Sequence, residues 1–276
     1  MKIFWLTDIH LDFSNVAQQK KLLNKIVKKS ILLKDKCCVV VTGDIGNSSC
    51  VIEDMLFWKN ELGQHNIELY FILGNHDYYG SSIEAVRFSL KCSDLKYNWL
   101  NNIDYIKLND ETALVGHDGW YDGGYANWFH SKVFLADYTQ IFDLNYIQWW
   151  SKEVVFDRIN ALAKEGAEHV YASSVEAIKN GNKIIYVATH VPPFRENAVY
   201  NGMISDEHWM PHFSSKHMGD MLIKLSTEFK DVKFVVLCGH SHGDAKHIIP
   251  PNMISYTSKA VYRNPRISRI FNLENE

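Results

Sequence analysis

Five short apolar segments recur along the chain, and each one leads directly into residues that can bind a metal ion. They are rich in Val, Ile, Phe and Tyr, residues that favour β-strands. The segments cover residues 2–7, 37–42, 67–73, 183–189 and 232–238. Several are apolar at nearly every position, as in strands that are covered on both faces. The chain is therefore expected to build a buried, mainly parallel sheet.

Helical patterns alternate with the first three of these segments. They cover about residues 15–33, 50–62 and 82–95. In the first pattern, Leu22, Leu23, Ile26 and Val27 repeat with the period of an α-helix. This alternation predicts an α/β fold in which the strands pair in parallel.

The middle and the end of the chain depart from this alternation. A loop rich in Gly and aromatic residues occupies 119–125, and helical patterns follow at about 144–164 and 174–179. Short strand-like runs lie at 246–249, 253–257 and 268–273. We predict one domain over residues 1–276, with a largely helical insertion at about 119–182 and a loop insertion at about 194–217.

Composition argues against several classes of partner. The net charge of -3 provides no broad positive field for nucleic acid. No stretch approaches the roughly 20 apolar residues of a membrane helix, and the first apolar run is too short for the core of a signal peptide. The five cysteines form no CxxC pair, so we expect free thiols and a cytoplasmic location.

Seven oxygen- and nitrogen-bearing side chains follow the five apolar segments. They are Asp8, His10, Asp44, Asn75, His190, His240 and His242. Because ligands bind at the carboxyl ends of strands in open α/β sheets, these distant side chains are expected to meet at one edge.

The donor set is specific in its chemistry. It contains two carboxylates, one amide and four imidazoles, a combination that suits Mn, Fe, Zn, Ni or Co. Seven donors are too many for one tetrahedral ion, and they suit two ions that share a bridging carboxylate. The sequence therefore predicts two divalent metal ions as cofactors.

The charge of such a centre favours a phosphate ester. Two divalent ions carry four positive charges, while two carboxylates and a bridging hydroxide offset three of them. Paired ions can hold the attacking water and the phosphate oxygens during in-line displacement, so no protein nucleophile is required.

The ordered blocks resemble those of the calcineurin-like metallophosphoesterase family. The blocks are DxH at 8–10, GD at 43–44, GNHD at 74–77, a single histidine at 190 and GHxH at 239–242. Each block alone is weak evidence, whereas all five in the family order are specific. The resemblance implies a fold of two packed β-sheets flanked by helices, with the metals at the carboxyl ends of strands.

The resemblance also implies a role for each residue. It assigns Asp8, His10 and His242 to one ion, and Asn75, His190 and His240 to the other. Asp44 would bridge the two ions. His76 would contact the phosphate and protonate the leaving oxygen, as the catalytic residue.

Two departures from related patterns restrict this assignment. Phosphoprotein phosphatases of the superfamily carry Arg and Glu on either side of GNH, where this chain has Leu73 and Asp77, so that role loses support. We expect Asp77 to cap the following helix. The stretch after Asp44 lacks the acid that often orients the catalytic histidine, and Asn47 is the remaining candidate.

Three residues are candidate substrate contacts, and each has two interpretations. Trp120 and Tyr121 could rim the pocket and stack on a ring of the substrate, or belong elsewhere in the fold. Arg195, in a proline-stiffened loop, could bind phosphate as a fork, or be a surface arginine.

Two further clusters are expected to serve the structure. His208, His212 and His217 favour a solvated loop over a zinc site, because Pro211 disrupts a shared helical face. Trp149 and Trp150 are expected in the core.

The sequence thus predicts a metallophosphoesterase that hydrolyses a phosphodiester or a phosphomonoester of a small phosphorylated substrate. A non-catalytic scaffold of the same fold and a nuclease are the alternatives. The retained ligands argue against the first, and the acidic charge balance argues against the second.

Overall fold

The computed structural model describes residues 1–145 and 149–274. Its strands are β1 (Lys2–Leu6), β2 (Cys37–Thr42), β3 (Glu68–Ile72), β4 (Ile106–Lys107), β5 (Thr112–His117), β6 (Ile184–Thr189), β7 (Val199–Tyr200), β8 (Met203–Ile204), β9 (Lys233–Cys238), β10 (Ala245–Ile249), β11 (Met253–Thr257) and β12 (Arg269–Asn272). Its α-helices are α1 (Val16–Leu33), α2 (Val51–Gly63), α3 (Ile83–Lys91), α4 (Asp137–Gln140), α5 (Lys152–Lys179), α6 (Met210–Phe213) and α7 (Lys216–Glu228).

Two β-sheets form the centre of the fold. The four-stranded sheet has the order β12-β1-β2-β3, and the six-stranded sheet has the order β10-β11-β9-β6-β5-β4. The central pairs β1–β2, β2–β3, β5–β6, β6–β9 and β9–β11 are parallel. The outer strands β12, β10 and β4 pair antiparallel. The five predicted apolar segments form β1, β2, β3, β6 and β9, with ends within one residue of the prediction.

Side chains alternate between two packed interfaces, which explains why these strands are apolar on both faces. Trp5 and Val40 face the six-stranded sheet, where they meet buried residues such as Tyr186 and Leu237. The opposite face of the smaller sheet packs on α1, α2 and α3. The opposite face of the larger sheet packs on α5 and α7. The expected fold of two sheets flanked by helices is confirmed.

The long helix of the middle region differs from its prediction. Two helical patterns were expected at about 144–164 and 174–179, whereas α5 is one helix that begins after the cap of Ser151. Gly166 lies within it, and a Cβ there would crowd the backbone of Gly119. Glycine is therefore used for close packing at this point, and it does not end the helix.

The expected burial of two tryptophans is wrong. Trp149 is 56% exposed and Trp150 is 37% exposed. Both precede the start of α5, so they have no place in the repeating apolar face of that helix. Trp150 instead lies under the guanidinium of Arg158, 3.7 Å from its ring centroid.

Candidate metal centre

The carboxyl ends of five parallel strands place the predicted ligands at one edge of the two sheets. Their backbone is unusual, because five of the seven adopt positive φ: Asp8, His10, Asp44, His240 and His242. Side chains other than glycine rarely occupy this region, and when they do they cluster at functional sites. The sharp turns that follow β1, β2 and β9 direct these side chains inwards.

Asp44 joins two groups of ligand atoms. Within each group, one donor atom per residue lies within 4.8 Å of all the others. The groups are Asp8, His10, Asp44 and His242, and Asp44, His190 and His240. Asn75 completes the second group, with its Oδ1 2.9 Å from Nδ1 of His240 and 3.1 Å from Nε2 of His190. All seven predicted residues therefore converge, and Asp44 lies between the two groups.

The outward hydrogen bonds of the second group determine which atoms face inwards. His190 Nδ1 lies 2.8 Å from the carbonyl oxygen of Thr42, and His240 Nε2 lies 2.9 Å from the carbonyl oxygen of His212. Each outward nitrogen must donate to its carbonyl, so the inward nitrogen presents a lone pair when the imidazole is neutral.

Asn75 is held in the same way. Its Nδ2 donates to Asp137 Oδ1 at 2.9 Å, which turns the amide oxygen inwards. Asp137 also accepts from the hydroxyls of Tyr79 and Tyr121. The lone pairs of Asn75 Oδ1 and His240 Nδ1 thus face each other at 2.9 Å, about the spacing of ligands that share an ion at roughly 2.1 Å. The residues present fit a bound cation.

The first group is bounded by carboxylate and imidazole. His10 Nε2 lies 3.2 Å from His242 Nε2, which in turn lies 3.4 Å from Asp8 Oδ1. The other oxygen of Asp8 accepts from the hydroxyl of Thr7 at 2.6 Å. The backbone N–H of His240 also donates to Asp8, at 2.9 Å. Asp8 therefore fastens the end of β1 to the end of β9 while it faces the ligand cluster.

The electrostatics of the centre keep Asp44 ionised and leave His10 and His240 uncharged. Burial alone would raise the pKa of Asp44, but the nearby imidazoles, led by His190, hold that pKa well below its usual range. Burial lowers the pKa of His10 and of His240 to about 4. Burial also disfavours the charged form of His190, yet Asp44 raises its pKa to about 10. Ionised Asp44 and neutral His10 and His240 are in the protonation states that bind metal, whereas His190 has to release its proton when a cation binds.

His76 lies beside the centre and faces the cavity in front of it. Its Nε2 is 4.0 Å from Asp44 Oδ2, and its ring stacks on Tyr79 with centroids 4.3 Å apart. The expected contact with Asn47 is absent among the described hydrogen bonds, since the side-chain carbonyl of Asn47 accepts from Ser49. Tyr79 therefore takes the supporting position that the sequence left open.

The three candidate substrate contacts lie away from the cavity. Trp120 and Tyr121 do not rim the cavity: they are 2% and 0% exposed and belong to the core behind the metal centre. Tyr121 lies parallel to the ring of His240, 6.0 Å between centroids, and so supports a ligand from behind. Arg195 is held away from the cavity by Glu207 and by the carbonyl of Tyr125, both at 2.6 Å.

Two other expectations also need correction. His212 is 1% exposed, because its ring packs among aromatic residues and contacts the hydroxyls of Tyr138 and Ser131. Burial lowers its pKa to about 3. Asp77 does not cap a helix; its carboxylate accepts from the backbone N–H groups of Ile45, Gly46 and Gly74. It fastens the turn after β2 to the turn after β3.

Comparison with known proteins agrees with this arrangement. A family model described as calcineurin-like phosphoesterase matches residues 1–244. A dimetal phosphatase from Danio rerio is similar in structure, with a TM-score of 0.60 and 13% identity over 95% of this chain and 88% of that one. A search of curated protein sequences finds no match.

Two further solved structures share the fold at lower similarity. A 5'-nucleotidase from Candida albicans has a TM-score of 0.51 and 11% identity, covering 94% of this chain and 45% of that one. A protein of Thermus thermophilus has a TM-score of 0.51 and 9% identity, covering 94% of this chain and 88% of that one. Since the family model spans far more than half of its residues, this chain belongs to the calcineurin-like phosphoesterase family.

Proposed function

We propose that the protein hydrolyses a phosphate ester at a centre of two divalent metal ions. One observation carries the proposal: the lone pairs of Asn75 Oδ1 and His240 Nδ1 face each other 2.9 Å apart, beside His190 and the carboxylate of Asp44. Such an arrangement is repulsive unless a cation lies between the donors. The family and the similar dimetal phosphatase support the same class of reaction.

Each group of donors would hold one ion, and Asp44 would serve both. Asp8, His10 and His242 would bind the first ion, and Asn75, His190 and His240 the second. When bound, the ions would lower the pKa of a water molecule and neutralise phosphate oxygens. The donor set suits Mn, Fe, Zn, Ni or Co.

His76 is the candidate general acid. Its side chain is 17% exposed and lines the cavity, while its backbone N–H donates to Asp44 Oδ1 at 3.0 Å. That hydrogen bond fixes the residue relative to the bridging ligand. The imidazole can then deliver a proton to the oxygen that leaves phosphorus, a contribution of typically about 10²–10⁴ in rate.

The proposal extends to the substrate and to the cellular compartment. A small phosphorylated substrate fits a cavity of about 730 Å³ in front of the donors. All five cysteines are free, which supports a reducing, cytoplasmic compartment. In the part of the chain that the structure describes, no helix is both long enough and apolar enough to span a membrane.

Turnover of two chromogenic esters tests the proposal. Metal-free protein, reloaded with Mn²⁺, is expected to hydrolyse p-nitrophenyl phosphate or bis(p-nitrophenyl) phosphate, and His76→Ala is expected to slow that reaction. A non-catalytic scaffold would turn over neither ester, and His76→Ala would change nothing. A nuclease would bind oligonucleotides with an affinity that falls steeply with salt, which the described cavity, without Lys or Arg, does not favour.

A further inference from the structure

The cavity in front of the metal donors has one strongly apolar side. Five residues of the segment between β6 and α7 form it, and we call them the apolar wall: Tyr200, Met203, Ile204, Trp209 and Phe213. Their side chains face the same space as Asp44, His76 and His240. The wall and the metal ligands therefore border one cavity.

The wall is fastened to a metal ligand. The ring of Phe213 lies 5.1 Å from the ring of His240, and Trp209 lies 5.2 Å from Phe213. The carbonyl of His212, next to Phe213, accepts from His240 at 2.9 Å. A group bound at the metal centre therefore lies within one or two side chains of the wall.

Two tyrosines also line the cavity, next to histidines of the centre. Tyr262 lies 4.5 Å from the ring of His10 and 5.3 Å from the ring of His242, measured between centroids. Tyr79 stacks on His76. Aromatic rings thus contact His10, His76 and His242 in addition to those that form the wall.

The wall leaves apolar surface exposed, at a cost in free energy. Met203 is 72% exposed, Ile204 is 53% exposed and Trp209 is 42% exposed. A contiguous apolar surface beside a catalytic cavity marks a binding site for an apolar group. The hairpin that carries Met203 and Ile204 is held in place, since the backbone N–H of Ser205 donates to the carbonyl of Ala198 at 2.8 Å.

The charges along the cavity restrict its occupant further. Among the described residues that line it there is no Lys or Arg, and the acids apart from Asp44 are Asp137 and Asp206. The Asp137 carboxylate is occupied by Asn75 and two tyrosines. Asp206 accepts from the backbone N–H groups of His208 and Trp209. A second phosphate or a carboxylate on the substrate would find no cation here.

We propose that the apolar wall binds the organic group of the substrate, and that this group is uncharged and apolar or aromatic. The inference rests on the proposed hydrolysis at the metal centre, because the phosphate would be anchored there. The substrate class is then an ester with one phosphate and a hydrophobic alcohol, in contrast to a polyphosphate or a phosphorylated acid.

Binding of two unreactive phosphonates tests this proposal without turnover. Methylphosphonate and benzylphosphonate carry the same charged group, and calorimetry on metal-loaded protein gives both dissociation constants. Benzylphosphonate is expected to bind about tenfold tighter, the gain from burying roughly 60 Å² of apolar surface. In Trp209→Ala the preference is expected to fall below about threefold, while methylphosphonate binding stays unchanged.

Further variants keep the test independent of folding defects. Met203→Ser alters a mostly exposed side chain and is expected to reduce the benzyl preference in the same direction. Phe88→Ala, on helix α3, is the matched control, because Phe88 is 67% exposed and does not line the cavity; this variant should keep the full preference.

The outcomes separate this inference from the proposed function. If both phosphonates bind in a metal-dependent manner with equal affinity, the wall proposal is overturned and the metal centre stands. If neither phosphonate binds with metal present, the proposed function itself fails. An equal loss of benzyl preference in Phe88→Ala would also contradict a specific role for the wall.

Discussion

Asp44 and Asp118 are both buried carboxylates at the end of a parallel strand, yet their surroundings are opposite. Asp118 accepts hydrogen bonds from Leu73 N, Trp99, Tyr78 and Asn101. Arg87 adds an ion pair at 3.5 Å. The Asp118 carboxylate is therefore satisfied by four hydrogen-bond donors and one cation of the chain.

Asp44 is surrounded by imidazoles and opens onto the cavity. His190 Nε2 lies 3.3 Å away, and His10 Nε2 lies 3.9 Å away. Among the described backbone N–H groups, only that of His76 donates a hydrogen bond to the Asp44 carboxylate. Burial and strand position therefore do not distinguish a structural acid from a metal ligand, whereas the hydrogen-bonding and charged partners of the carboxylate do.

The largest effect is expected from Asp44→Asn. This variant should lower kcat/KM by roughly 10³ to 10⁴, because several kcal/mol of charge stabilisation depend on both ions. Asp8→Asn and His242→Ala each affect one ion and should lose less. Steady-state kinetics of the three variants measure these losses. Equal losses in all three would show that Asp44 does not bridge the two ions.

Asp118→Ala is expected to act on stability. Removing this acceptor leaves several buried donors without a partner, at a cost of about 3–5 kcal/mol, while Arg87 keeps its ion pair with Glu165. Urea unfolding should show that loss, while the protein that remains folded keeps its metal content. If the variant folded but lost its metal, Asp118 would be needed for metal binding, as Asp44 is, and the two acids would not differ in role.

His76→Ala should lower the rate without emptying the metal centre. We expect a loss of about 10² for an ester with a poor leaving group, and a smaller loss for p-nitrophenyl phosphate, whose leaving oxygen needs less protonation. Rates for the two ester types, with metal content measured in parallel, give the answer. Equal losses for good and poor leaving groups would contradict the general-acid role.

Asp137 is intermediate between Asp118 and Asp44. Its carboxylate accepts hydrogen bonds from the chain, as that of Asp118 does, but one of the donors is the metal ligand Asn75. Asp137→Ala removes the charged acceptor of the Asn75 amide and leaves only the Tyr79 hydroxyl, so metal affinity at the second group should fall about 10- to 100-fold. Titration with Mn²⁺ measures this. Asp206→Ala is the control: it removes a cavity carboxylate that contacts no ligand, and metal affinity should persist. A similar loss in both variants would mean that overall charge acts, and not orientation.

The sequence predicted the strands and the positions of the seven donors, because apolar runs and their polar ends are local signals. The sequence did not predict the roles of Asp118 and Asp137, because their partners, such as Trp99 and Tyr79, come from distant turns without a periodic pattern. The burial of Trp120 and Tyr121 was missed for the same reason. Their loop looks like a surface segment until α5 packs over it.

The histidine cluster shows a further limit of local patterns. His212 follows a proline in a polar stretch, which is typical of an exposed loop. In the structure its ring is enclosed by Trp128 and Tyr138, and its carbonyl orients His240. Only the tertiary contact reveals that the 194–217 segment supports the metal centre.

Counting the bound ions tests the central claim most directly. Metal-free protein, equilibrated with Mn²⁺ and freed of excess by gel filtration, should retain two ions per chain by elemental analysis. Asp44→Asn should retain fewer than one ion, and Asp118→Asn, where folded, should retain two. A single ion in the unaltered protein, or two ions retained in Asp44→Asn, would contradict a dinuclear centre bridged by Asp44.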